Sequence, residues 1–176
     1  MTLLLHTNSQ QDVLELLGDG SSVQNSINEF FETVHTWLPI VSKKRLNRNM
    51  LNPMWEAGPD LALLFLCMKM ANSRSHEGMD HSQNPVYTTA KRFVALLEAG
   101  GMVSLTMLQA YLLIATYEMG HSIYPAAWMT VGSSIRYGQL LGLHDLERGP
   151  RLLPQAVSHT SFIQVRIIDP LPANMD

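Results

Sequence analysis

The 176-residue chain has a single cysteine, Cys67, and that scarcity removes two kinds of architecture. One thiol builds no disulfide framework, so a reducing intracellular compartment fits better than an extracellular one. Nor does it build a cysteine-held metal module, which needs several closely spaced thiolates. Charge is scarce as well: 15% of the residues are charged and the formal net charge is −3. Such a balance gives no global attraction to nucleic acid or to an anionic membrane surface. Long hydrophobic runs are missing too. The two most apolar stretches, residues 61–70 and 102–117, are shorter than the roughly 20 residues a membrane span needs. Residues 1–10 contain a leucine run without a basic n-region or a small-residue cleavage site, so no secretory signal is expected. A Gly-rich phosphate loop, a nucleophile elbow and a carboxylate pair suited to acid–base work are all lacking. No catalytic, cofactor-binding or metal-binding residue is therefore assigned, and no enzymatic activity is expected.

What is present is apolar material. Hydrophobic residues make up 46% of the chain, enough for one domain with a sizeable core. Three zones follow from composition. Residues 1–24 turn polar after the first leucines, and Gly18, Gly20, Ser21 and Ser22 predict a linker within a flexible N-terminal segment. Residues 25–144 hold about five helical segments, interrupted by loops around 52–59 and 71–85. Residues 145–176 carry Pro150, Pro154, Pro170 and Pro172 and predict an irregular tail. There Ile163, Val165 and Ile167 alternate with Gln164 and Arg166 at a strand period, but a lone strand is not stable alone. The expected fold class is all-α: a bundle of about five helices, a partial domain with an irregular C-terminal tail.

Residues 105–144 are the most instructive part of the bundle. Leu105, Leu108, Leu112, Ala115 and Met119 recur at three- and four-residue steps and predict one helix face. Met107, Tyr111 and Ile114 cover a second face, leaving Thr106, Gln109 and Thr116 as a thin polar strip. A helix apolar on most sides belongs in the middle of a bundle. Gly120 is expected to end it in a left-handed conformation, with Ser122 capping the next helix and Pro125 in its first turn. In that next helix Ala127, Val131, Ser134, Gly138 and Leu141 share a face of mostly small residues. Trp128 and Ile135 fill the adjoining face, and Gly142 with Leu143 forms the stop.

These residues carry a resemblance. A helix followed by Tyr117-Glu118-Met119-Gly120, Tyr124-Pro125-Ala126-Ala127-Trp128, Gly132-Ser133-Ser134-Ile135-Arg136 and a closing Leu141-Gly142-Leu143-His144 resembles the fungal-specific transcription factor domain, the middle homology region of zinc-cluster regulators. Upstream, residues 30–41 resemble that family's opening helix, in which aromatics and a His precede a Pro-Ile pair. Residues 61–70 and 87–98 resemble its next two helices. The match covers roughly residues 25–144, the N-terminal half of the family's domain. After His144 the family continues with an Arg-rich helix carrying a Trp pair, whereas Trp37, Trp55 and Trp128 all lie earlier here. A truncated or alternatively read product is the expectation this departure raises, with the apolar faces around Leu112 and Trp128 left partly uncovered.

The remaining chemical candidates have ordinary structural explanations. His76-Glu77-Gly78-Met79-Asp80-His81 gathers potential ligands, but it has one residue too many for H-E-x-x-H and its glycine disfavours the required helix. A solvated loop is expected instead. Cys67 lies in an apolar helix and is expected to be buried packing. Lys43, Lys44, Arg45 and Arg48 are expected to be a solvated helix end rather than a phosphate contact or nuclear address. Met50, Met54, Met68, Met70, Met102, Met107, Met119 and Met129 are expected to fill the core. His35 and His121 are expected to be structural residues at helix ends.

The resemblance implies transcription regulation in the nucleus. Zinc and DNA binding belong to the family's six-cysteine zinc-cluster module, which these 176 residues do not contain. Zinc is thus a family association and not a cofactor of this chain. Protein partners or a small-molecule effector are the implied ligands, DNA only through the missing module, and no membrane. The alternative is a small helical interaction module or a non-functional truncated product.

Overall fold

A computed structural model describes residues 11–49, 58–73 and 80–144, with the side chains of residues 48 and 49 set aside. Among the described residues there are seven α-helices and no strand. They are α1 (residues 11–17), α2 (Gly20–Glu32), α3 (Lys43–Asn49), α4 (Pro59–Ala71), α5 (Pro85–Ala99), α6 (Leu105–Gly120) and α7 (Ala126–Leu140). Short 3-10 segments occupy Val34–Thr36 and His81–Gln83. The all-α expectation holds, and the two helices beyond the expected five are α1 and α3. The tail's strand-like alternation lies outside the described residues.

The linker expected over Gly18–Ser22 is replaced by a helix start. Asp19 is the N-cap of α2: its carboxylate accepts from the Ser22 N–H at 3.0 Å and from the Ser21 hydroxyl at 2.7 Å. Gly18 takes φ 78 to make the bend, and Val13, Leu17 and Val23 on either side are buried. Residues 11–24 are therefore largely helical and packed. Small polar residues that compose a flexible linker also compose a good N-cap, and composition alone does not separate the two.

Helix α4 is the hub, packing against α2, α5 and α6. Every residue from Leu63 to Met68 is buried, so the helix has no solvent face over that span. Its ends are held by polar contacts. Pro59 sits in the first turn behind Gly58, Asp60 Oδ2 accepts from the Ser104 hydroxyl at the start of α6 (2.7 Å), and Asn72 Nδ2 donates to Ser26 O in α2 (2.7 Å). Lys69 Nζ donates to Leu16 O of α1. Helices α5 and α6 are joined by a tight turn in which Gly101 takes φ 74 and Met102 N–H bonds Leu97 O, a glycine-dependent helix stop.

Helix α6 is buried more broadly than the expected stripe. Met107, Ala110, Tyr111, Leu113, Ile114 and Tyr117 are buried, whereas Leu105 and Leu112 are half-buried and Met119 is 55% exposed. The helix ends differently from the expectation as well. Gly120 remains helical, His121 is the C-cap, and the left-handed residue is Ser122 at φ 56. Ser122 consequently does not cap α7, and Pro125 lies just before the helix rather than in its first turn. Ile123 N–H reaches back to Glu118 O at 2.9 Å, closing an elbow that the wide turn after α6 requires.

Among the described residues, packing divides the chain at Ser134, with those up to Ser134 in one unit and those from Ile135 in a second. In the first unit, Ala127, Thr130 and Ser134 are buried, while Trp128 is 75% exposed. In the second, Tyr137 and Leu141 are buried and Ile135 is exposed. There Gly142 takes φ 73 and Leu143 N–H bonds Gly138 O, the expected helix stop.

Candidate functional site

The interior has one feature that packing alone does not explain. Glu118 lies on α6 among apolar residues and is fully buried. Its Oε1 accepts from the Tyr87 hydroxyl (2.8 Å) and from Lys91 Nζ (2.9 Å), both on α5. Tyr87 and Lys91 are four residues apart, so one face of α5 presents both donors to the same oxygen. Lys91 Nζ also donates to Thr130 Oγ1 on α7 at 2.9 Å, so three helices meet around one carboxylate. Glu118 Oε2 is buried with no hydrogen-bond partner among the described residues. Removing Lys91 would leave a buried acid without its cation, which costs far more than a surface ion pair. Burial, then the Glu118 hydrogen bond, pushes the Tyr87 phenol well above its usual range, so it stays a donor.

A second polar cluster adjoins the first through aromatic stacking. Tyr87 stacks on Tyr117 at 5.4 Å between ring centroids. The Tyr117 hydroxyl accepts from Asn84 Nδ2 at 3.2 Å, and Asn84 is itself the N-cap of α5, accepting from Val86 N–H. Burial raises the Tyr117 phenol above its usual value. On the far side of Tyr117, His81 and His121 stack with centroids 3.9 Å apart and planes 20° apart. Burial and then the neighbouring His81 lower the His121 imidazole below its usual value.

The residues singled out from sequence fall as follows. Cys67 is fully buried, and desolvation drives its thiol far above the ordinary range, which suits packing rather than nucleophilic chemistry. Of the 76–81 run, residues 76–79 lie outside the described residues. Asp80 caps the 3-10 segment through Ser82, whose hydrogen bonds lower its carboxyl, and His81 joins the stack. No group of three or more His, Cys, Asp or Glu residues suited to a metal ion occurs among the described residues. Lys43 and Lys44 are exposed, with Lys43 Nζ 5.3 Å from the Phe31 ring centroid; the Arg48 side chain lies outside the described residues. Met68, Met70 and Met107 are fully buried, but Met119 and Met129 are on the surface, so the methionine-filled core is smaller than expected. Met50 and Met54 lie outside the described residues. His121 sits at a helix end, and so does His35, in the 3-10 segment just after α2, where it packs edge-on to Phe31 at 4.8 Å.

Sequence reading assigned no role to Glu118 or Lys91. One signal was available: a lone carboxylate near the end of an otherwise apolar helix. Its position beside Met119 and Gly120, where a helix runs out toward solvent, disguised it. No described helix is long and apolar enough to cross a membrane.

Residues 27–155 match the model of the fungal specific transcription factor domain. The chain is 43% identical over 134 residues to transcription factor BOA15 of Botryotinia fuckeliana, covering 76% of this chain and 73% of that protein. It is 28% identical over 139 residues to the pigment biosynthesis transcriptional activator pigB of Monascus ruber, covering 77% of this chain and 24% of that one. It is 26% identical over 136 residues to transcription factor tazR of Aspergillus terreus, covering 76% of this chain and 21% of that protein. The chain thus spans most of BOA15 and about a quarter of the other relatives. No solved structure matches it.

Proposed function

This chain belongs to the fungal specific transcription factor domain family, and from that premise we propose that it acts in transcription as a regulatory helical domain in the nucleus. The observation that carries the reading is the family match over 27–155, which takes in the α5–α6–α7 junction. Control is exerted through that junction. The Lys91–Glu118 pair, with Tyr87 and Thr130, fixes one packing of the three helices. A protein partner or small effector that binds a second packing more tightly shifts the population toward it. The chain's own role is to bind and to change packing, with no catalytic step. The 176 residues contain one cysteine and so no six-cysteine zinc cluster.

The regulated genes belong to a biosynthetic pathway. Three relatives are transcriptional activators of biosynthesis by name, one of pigment and two of citrinin. Transcript profiling of a strain lacking the gene against a complemented strain tests this. A coherent, several-fold change in one group of biosynthetic transcripts, restored on complementation, is expected. Matching profiles in the two strains, under conditions where the protein accumulates, would remove the reading.

A binding role also has a specific surface behind it. Tyr124, Trp128 and Met129 are 58%, 75% and 66% exposed on the elbow and first turns of α7. Large apolar side chains left open in this way are suited to a partner contact.

A further inference from the structure

We propose that the His81–His121 stack is a proton-sensitive clasp, closed while at least one ring is neutral and opened when acidification charges both. The inference stands apart from the transcriptional reading, since it concerns only how this fold answers pH.

The geometry places the clasp between two separate parts of the chain. His81 lies in the 3-10 segment that leads into α5, and His121 is the C-cap of α6 at the start of the elbow. Their rings are 3.9 Å apart and nearly parallel. Neutral imidazoles stack comfortably at that separation, but two imidazolium ions would set like charges face to face. The groups around the pair treat the two rings differently. On the His81 segment the Asp80 carboxylate accepts from the Ser82 N–H and hydroxyl and lies near the His81 ring. Burial and then the neighbouring His81 lower the His121 imidazole, so a proton is added there against both. Tyr117, on α6, packs 4.3 Å from His121 and 6.4 Å from His81 and offers only a phenol. After α4, the Ser73 hydroxyl lies beside the Tyr117 hydroxyl and donates to Met70 O. On α6 the Glu118 carboxylate is turned to Tyr87 and Lys91 of α5, and Arg92 of α5 donates to Thr89.

Opening has a defined mechanical result. Tyr117 loses the ring packing that holds its hydroxyl against Asn84, so the N-cap of α5 loosens. The elbow hydrogen bond from Ile123 N–H to Glu118 O, which follows directly on His121, becomes free to break.

Amide hydrogen exchange on the full chain at pH 7.5 and 5.5, corrected for intrinsic rates, tests the clasp. Exchange over residues 119–125 and 81–88 is expected to speed up about tenfold or more at the lower pH, while residues 61–70 hold their protection. Adding salt at pH 5.5 should restore part of the protection, because salt screens like charges at a solvent-reached site. His121→Phe keeps an aromatic ring but does not titrate, so it should abolish the pH response. The proposal is overturned by exchange that is indifferent to pH. It is equally overturned by loss of protection in 61–70 together with the elbow, or by salt failing to slow exchange at pH 5.5. Because the wild-type chain supplies those arms, the test stands even where the His121→Phe chain does not fold.

Discussion

Helices α4 and α6 are both apolar on nearly every side, yet the structure treats them differently. From Leu63 to Met68, α4 is packed with hydrocarbon and sulfur, and its polar contacts are confined to its two ends. Helix α6 is just as buried, but it carries Glu118 inside and meets Tyr87 and Lys91 of α5 there. Burial of apolar surface is non-directional, so α4 contributes stability without specifying much about its neighbours. A buried ion pair contributes little net stability, because desolvation offsets most of the attraction, but it accepts very few arrangements. On this contrast α4 holds the bundle together and α6 determines how α5 and α7 dock.

The sharpest way to break that contrast is to injure each helix in turn. Leu66 is fully buried in α4, and Leu66→Ala should cost about 2–5 kcal/mol in urea unfolding, from lost transfer energy and the cavity left behind. Its effect should spread over the whole bundle. Lys91→Met strands the Glu118 carboxylate and should cost about 1–3 kcal/mol. That is below the range for a fully enclosed pair, because the Lys91 side chain is 36% exposed and solvent screens it. The two sites then separate in the double change. Lys91→Met with Glu118→Met should recover most of the lost stability, since an apolar pair of similar volume removes the desolvation cost. A double variant as unstable as Lys91→Met alone would mean that Glu118 serves only as packing, and the distinction between the two helices would fail.

The same contrast explains how far the sequence was legible. Helix α4 is directly legible, because an unbroken apolar run from Leu61 to Met68 has few alternatives in a bundle. The buried length of α6 was equally plain. Its rotation is only partly legible: the Thr106, Gln109 and Thr116 strip is half-buried, as its polarity suggests, but Met119 shares the apolar stripe and is exposed. The Glu118 partners lie 31 and 27 residues away in sequence, on a different helix, and no local pattern announces them. The turns were misread for a related reason. Gly120 looked like the left-handed stop, but the chain makes its left-handed turn two residues later at Ser122, where the His121 ring is held by its stack. The small-residue stretch after Gly18 reads equally as a linker, because an N-cap and a linker use the same residues.

That N-cap gives a smaller effect, outside both interiors. Hydrogen bonds from the Ser22 and Ser21 hydroxyls and the Ser22 N–H lower the Asp19 carboxyl to about 2. A carboxylate lowered in the fold contributes stability that is fully present above its ordinary value of 3.8 and is lost as pH falls through about 2. Asp19→Asn retains a capping oxygen but removes the charge. It should lower the neutral-pH thermal midpoint toward the wild type's acid value and flatten the limb between about pH 4 and 2. An unaltered acid limb in the variant would show that the cap does not report on folding.

The smallest expected change in stability is also the most informative about binding. Trp128 is 75% exposed on α7, so Trp128→Ser removes little buried area and should shift folding by no more than about 0.5 kcal/mol. It should nevertheless weaken whatever association that side chain supports, because an exposed tryptophan concentrates contact area at one point. Analytical ultracentrifugation of the two chains over a concentration series separates the possibilities. Self-association that falls in the variant while the melting curve stays put identifies the exposed side of α7 as a contact between copies. Identical sedimentation with identical melting restricts the surface to a different partner. A large loss of stability would contradict the exposed placement itself, and with it the division of labour in which α7 is positioned by the Lys91–Thr130 contact and leaves Trp128 open.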